Sequence, residues 1–204
     1  MTRQNSVLIS EDLLNSYGAQ IQHFQPGELI FNEGDTPKCY YQIREGRIKL
    51  NHYNSEGREL ILSILTKGLS VCELLLFINK KYPVNAVVLE PTTLIMLPKS
   101  NFLEMLDEHP QVAKDVNKFL AERLYYNFIM MENNSSRQAE IRIKGFLDYL
   151  KSVTAESNAF SFEIPLTRQQ LAAMTGLRVE TVIRTVKSFE KQNLLKIIKG
   201  KIHF

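Results

Sequence analysis

Between residues 19 and 98 the apolar positions fall into short β-type runs punctuated by glycine. The runs are Glu28–Phe31, Cys39–Arg44, Arg47–Tyr53, Glu59–Leu65, Ala86–Glu90 and Thr93–Pro98. Gly27, Gly34, Gly46, Gly57 and Gly68 stand 7, 12, 11 and 11 residues apart. Short strands at that interval, with turn signals between them, predict an antiparallel sandwich or barrel. The rhythm changes near Lys99. After Pro110 the positions Val112, Ala113, Val116, Phe119, Leu120, Leu124, Tyr126, Met130 and Met131 recur every three or four residues. They predict a helix of about 22 residues with proline in its first turn. Its apolar stripe is wide enough to face its own barrel and a second copy. Positions 113, 117, 120, 124, 127 and 131 have the spacing of a coiled-coil seam. Packing on its own domain alone is the alternative.

Glu132–Arg137 is short and polar, and is read as a hinge. Ala139–Val153 reads as an amphipathic helix, and Phe160, Phe162 and Ile164 alternate as in a strand. Thr167 and Gln170 then have the three-residue spacing of a capping box, opening a helix that buries Leu171 and Met174. Gly176 breaks it. A second helix from about Val179 to Gln192 buries Val182, Val186 and Phe189. Two short helices about a glycine turn predict a helix-turn-helix, whose second helix enters the major groove of DNA. The ending LLKIIKGKIHF predicts a hairpin turning at Lys199-Gly200, the wing of a winged helix.

If those apolar positions face inward, Arg178, Val179, Glu180, Ile183, Arg184 and Lys187 face outward. An arginine holds guanine O6 and N7 with two parallel bonds, and a glutamate accepts from the cytosine amino group. Val179, Glu180, Ile183 and Arg184 are therefore the candidate base readers. An intrahelical ion pair is the alternative use of Glu180 and Arg184, which are four apart. Arg168, Thr167, Arg178, Lys187, Lys199 and Lys201 are candidate phosphate contacts, which position the protein without reading sequence.

Charge supports this picture. The net charge of +3 over 204 residues hides a body and a module of opposite sign. Residues 1–109 carry 10 Lys/Arg against 13 Asp/Glu, whereas residues 165–204 carry 8 against 2. A basic module on an acidic body is what a nucleic-acid reader requires; a solvated lysine-rich tail is the bland alternative. Cys39 and Cys72 are too few for a disulfide framework or an iron–sulfur site. His23, His52, His109 and His203 are scattered, so no protein-only metal site is expected. There is no nucleophile elbow, phosphate loop or acid/base pair, which argues against an enzyme. The apolar stretches are too short to span a membrane and the start lacks a signal-peptide pattern, so the expected location is the cytoplasm.

The stretches F-x-P-G-E (24–28), E-G-D (33–35), Y-Y-Q-I-R-E-G-R-I-K-L (40–50) and E-G-R-E-L-I-L (56–62) resemble the sensor barrel of the CRP/FNR family of bacterial transcription regulators. L-T-R-Q-Q-L-A-A-M-T-G (166–176) and V-E-T-V-x-R (179–184) resemble its DNA-binding part. The resemblance covers about residues 20 to 204. It implies an α+β chain: a jelly-roll, cyclic-nucleotide-binding-like β-barrel over 1–109, a dimerisation helix and hinge over 110–136, and a winged helix-turn-helix over 137–204. It further implies a homodimer on a palindromic site in double-stranded DNA, with Glu180 and Arg184 reading a TGA core, and RNA polymerase as a partner. The dimer would close through Val116, Leu120, Leu124, Asn127 and Met131. Val179 matches the FNR branch, which typically carries serine where Ile183 stands.

The corresponding effector pocket comprises Cys72, Glu73, Leu74, Val84, Asn85, Asn127 and Phe128. Glu73 matches the ribose-binding acid, but no arginine lies between Arg58 and Arg123 to hold a cyclic phosphate, so cAMP is disfavoured. Lys80 and Lys81 lack the bidentate fork of arginine. The cysteine cluster of the iron–sulfur branch is missing, and haem ligated by His or Met stays open with no pair marked. Cys39 and Cys72 read as small hydrophobes rather than redox sensors. A rival function is a small-molecule-binding barrel whose helix-turn-helix contacts another protein.

Overall fold

A computed structural model describes residues 8–152 and 158–204. The chain divides into two compact units, one ending at Arg123 and the other beginning at Leu124.

The first unit opens with α1 (Glu11–Ser16), capped by the Ser10 hydroxyl accepting from the Leu13 amide. Seven strands follow: β1 (Gln20–Phe24), β2 (Leu29–Phe31), β3 (Cys39–Glu45), β4 (Arg47–Tyr53), β5 (Glu59–Thr66), β6 (Asn85–Val88) and β7 (Thr92–Pro98). They form two antiparallel sheets, ordered β1-β7-β3 and β2-β6-β4-β5. The jelly-roll arrangement expected from the sequence is present, but the sheets stay separate rather than closing into one barrel. One strand was not foreseen. All but the last residue of β1 are exposed, so no alternation marks it in the sequence. Gly46 joins β3 to β4 at φ +98, where a Cβ would stand 2.2 Å from Thr92 Oγ1 and 2.8 Å from the Pro91 carbonyl. Only glycine meets both demands.

Alternation sends Ile48, Leu50, Ala86 and Val88 inward. With Phe31, Tyr41, Ile43, Leu65, Val84, Leu94 and others they form one apolar cluster, in which the Tyr82 ring stacks on Phe31 at 3.6 Å between centroids. A second cluster collects Leu14, Tyr40, Ile95, Leu97, Phe102 and Met105, with Tyr40 stacked on Phe102 at 4.5 Å. Phe102 and Met105 belong to α2 (Lys99–Glu108), a helix not assigned from the sequence.

The long helix α3 runs over Pro110–Ser135, four residues beyond the predicted 22. The proposed hinge at Glu132–Arg137 is therefore mostly helix, and the break before α4 (Ala139–Ser152) narrows to residues 136–138. The polar run Glu132–Asn134 reads as a break in sequence, but polar side chains do not by themselves end a helix, and Asn133 and Asn134 are half-buried within α3. Val153, the last residue of the predicted helix, lies outside the described residues.

Within the second unit a Cβ on Gly145 of α4 would stand 2.2 Å from Asn133 Oδ1, so the glycine leaves that side-chain amide its place against α4. Arg142 of α4 donates to the Ser136 carbonyl at 2.5 Å and to the Thr175 carbonyl at 3.2 Å. It thereby satisfies one of the orphan carbonyls at the end of α5 (Arg168–Thr175). The strand expected around Phe160–Ile164 is reduced to a single bridge between Glu163 and His203. Phe160 itself takes φ +61, outside any strand.

The capping box is formed as expected. The Gln170 amide donates to Thr167 Oγ1 at 3.1 Å, and the Thr167 amide donates to Gln170 Oε1 at 2.9 Å. Thr167→Ala removes one half of it, and the expected loss is about 1 kcal/mol of stability, with Thr167→Ser close to neutral. Urea unfolding followed by circular dichroism checks this; an unchanged midpoint in the alanine variant would sink it.

Candidate nucleic-acid interface

α5 ends at Thr175, and Gly176 takes the left-handed conformation, φ +64, that turns the chain. α6 (Val179–Lys191) follows after two residues. Leu166, Leu171 and Met174, together with Val182, Val186 and Phe189, are buried. That core fixes which side of α6 meets solvent. Arg178, Glu180, Ile183, Arg184 and Lys187 are exposed, and Val179 is half-buried. Glu180, Ile183, Arg184, Lys187, Ser188 and Lys191 line one open concavity along the helix. Among the described residues Glu180 and Arg184 form no ion pair with each other, so neither is committed to the other. A free carboxylate and a free guanidinium one turn apart can address base edges.

The wing is present as β8 (Lys196–Ile198) paired with β9 (Lys201–His203). Lys199 and Gly200 take φ +48 and +79, the two left-handed positions of a two-residue hairpin turn. Arg168 donates to the Gly200 carbonyl at 3.4 Å. Burial lowers its pKa, and Glu190 partly offsets this. Of the candidate phosphate contacts, Thr167, Arg178, Lys187, Lys199 and Lys201 are exposed, while Arg168 is partly engaged in holding the wing. Lys201 also lies 3.9 Å from Glu163. Lys196, not singled out in the sequence, sits over the Phe160 ring at 4.9 Å.

Within the first unit, the residues expected to form an effector pocket face different ways. Cys72 is buried at φ +55, a left-handed backbone that few residues other than glycine adopt. Desolvation pushes its thiol up to about 12, which Arg123 only partly opposes. It begins a short 3-10 helix, Glu73–Leu76. The Glu73 side chain is fully buried, and Arg123 Nη1 lies 3.3 Å from both of its carboxylate oxygens. Arg123 also stands over the Phe119 ring at 5.5 Å. Val84 points into the apolar cluster. Asn85, next to it on β6, faces the other way. It accepts from the Glu33 amide at 2.9 Å and donates to the Asn51 carbonyl, and so leaves the expected set. Leu74, Asn127 and Phe128 are exposed.

These residues do not fit a cyclic nucleotide. The acid that would take the ribose is bound by Arg123, and Lys80 and Lys81 are exposed point charges without the fork that grips a phosphate. Tyr82, next in the chain, packs inward on Phe31.

The expected seam on α3 also changes. Val116 is only 1% exposed, inside the cluster of Leu14, Tyr40 and Phe102, and has no surface to offer a second copy. Leu120 packs partly on the same cluster. In the second unit Leu124, Tyr125, Phe128 and Met131 are exposed, Met131 by 66%, and Asn127 is exposed beside them. Phe128 thus lies on an exposed apolar face of the second unit; Tyr125 was missed because its spacing fits no a/d position.

Comparison with known proteins agrees with this organisation. Residues 21–109 match the cyclic nucleotide-binding domain and residues 141–204 the Crp-like helix-turn-helix domain. The chain is 26% identical to the nitrogen fixation regulation protein FixK of Bradyrhizobium diazoefficiens, over 88% of this chain and 76% of that protein. It is 27% identical to the fumarate and nitrate reduction regulatory protein of Yersinia pestis, over 93% of this chain and 76% of that protein. In fold it is similar to a CooA variant from Carboxydothermus hydrogenoformans, with a TM-score of 0.85 and 17% identity, covering 100% of this chain and 93% of the other. Among the described residues no helix is long and apolar enough to cross a membrane. A cyclic-nucleotide-type β-unit followed by a Crp-like helix-turn-helix, in a chain whose relatives are regulators matched over about three quarters of their length, leaves one conclusion: the chain belongs to the CRP/FNR family of transcription regulators.

Proposed function

We propose that this regulator binds a palindromic site in double-stranded DNA as a cytoplasmic homodimer, reading a TGA-like half-site core with Glu180 and Arg184. The observation that carries the reading is their exposure, unpaired, on one face of α6 behind a capped α5 and a left-handed glycine. Two copies would meet through Leu124, Tyr125, Phe128 and Met131, an exposed apolar face that a monomer leaves in water. The two recognition helices must then stand about one DNA turn, roughly 34 Å, apart.

A signal reaching the β-unit acts only by favouring one arrangement of the DNA-binding units over another. The break at residues 136–138 is where such a change of arrangement costs least. cAMP is not that signal, because the acid and the phosphate positions are unsuited to it. RNA polymerase contacts fall to exposed turns such as residues 54–58.

The test is titration of selected duplex DNA at several salt concentrations, with sedimentation of the free protein. Expected are a dimer and affinity that falls steeply with salt, as counterions are released from phosphates. A strict monomer indifferent to DNA would overturn the proposal in favour of a helix-turn-helix that contacts another protein.

A further inference from the structure

Ile183 breaks the pattern of its own helix. α6 buries Val182, Thr185, Val186 and Phe189, and every other residue on the opposite face of the concavity is polar or charged. Ile183 lies on that opposite face, 40% exposed, with Glu180 one turn before, Arg184 beside it and Lys187 one turn after. Its branched side chain lowers helix propensity slightly, and 40% of its surface is left in water. Departures of this kind from local consistency mark functional positions.

What the side chain would touch follows from its chemistry. It neither donates nor accepts a hydrogen bond. Pressed against a base edge that presents only polar groups, it would strip them of water and leave them unpaired. In the major groove one base carries an apolar group, the C5-methyl of thymine. Resting on the reading of α6 as the recognition helix, we propose that Ile183 is a specificity-determining residue that contacts the methyl group of a thymine adjoining the base pairs addressed by Glu180 and Arg184. The family's serine at this place would hydrogen-bond instead, so the preference belongs to this chain.

The test uses the full-length protein and a duplex selected from a randomised library. Each thymine of the half-site is replaced in turn by deoxyuridine, which removes the methyl group and nothing else, and binding is followed by fluorescence anisotropy. One thymine next to the core should weaken binding by about fourfold when replaced, the factor expected for one buried methyl. In Ile183→Ser that ratio should fall to about one, with ratios at other thymines unchanged; Ile183→Val should give an intermediate value. Ile183 is exposed, so circular dichroism of both variants should match the parent. The inference is overturned if no thymine beside the core is sensitive, or if the sensitivity survives in both variants. A protein that selects no sequence overturns the reading of α6 as well, whereas a selected site indifferent to the methyl overturns this inference alone.

Discussion

Arg184→Ala is expected to cost about 1–3 kcal/mol of affinity at the selected site and to flatten discrimination at a guanine of its core. The argument starts from what the side chain is not doing. Arg184 is exposed, and among the described residues it holds no carboxylate and caps no helix, so its loss leaves the fold intact. Its effect should therefore appear in DNA binding and not in thermal unfolding. A bidentate guanidinium contributes both affinity and orientation, and no lysine replaces the fork. Lys187→Ala, one turn further on, should behave differently. It should weaken all sequences alike and reduce the salt slope by about one, as a lost phosphate contact does. Gel-shift titrations on the selected site and on permuted sites separate the two. If Arg184→Ala keeps both affinity and preference, the guanine is read by another residue.

The DNA-binding unit was the most legible part of the sequence because its determinants are local. Thr167 and Gln170 are three residues apart, Gly176 sits at a turn that demands a left-handed backbone, and Val182, Val186 and Phe189 repeat at helical spacing. Each of these signals is complete within a few residues. The turn at Lys199-Gly200 was legible for the same reason. The β-unit yielded its glycine-bounded strands but not β1, whose residues mostly face solvent and so lose the alternation that marks a half-buried strand. The failures cluster where tertiary partners decide. Helical periodicity placed Val116 on an apolar stripe, but it cannot say which part of a stripe its own domain will cover. The stripe turned out to be shared lengthwise, with Val116 and Phe119 buried early in α3 and Leu124, Tyr125, Phe128 and Met131 left exposed further on. The role of Arg142 in capping α5 was invisible, since its partner Thr175 lies 33 residues away.

Arg123→Ala is expected to destabilise the first unit by about 3 kcal/mol, a larger loss than any exposed ion pair would predict. An exposed pair contributes about 0–1 kcal/mol, because water screens it and ordering two side chains offsets the gain. The Glu73–Arg123 pair differs because the Glu73 side chain is fully buried, while Arg123 keeps 20% of its side-chain exposure. Removing the guanidinium strands a carboxylate away from water, which costs about 3–5 kcal/mol when a buried pair is broken. The partial exposure of Arg123, through which water can reach the gap, places the loss at the lower end. The same physics predicts that removing both partners costs much less: Glu73→Leu with Arg123→Leu takes away the stranded charge along with its counterion. In thermal unfolding Arg123→Ala should therefore lower the midpoint by about 6–12 °C, at 2–4 °C per kcal/mol for a chain of this size, and the double variant should recover most of that. Equal midpoints for the single and double variants would show that the arginine acts through its packing on Phe119 and not through the buried carboxylate.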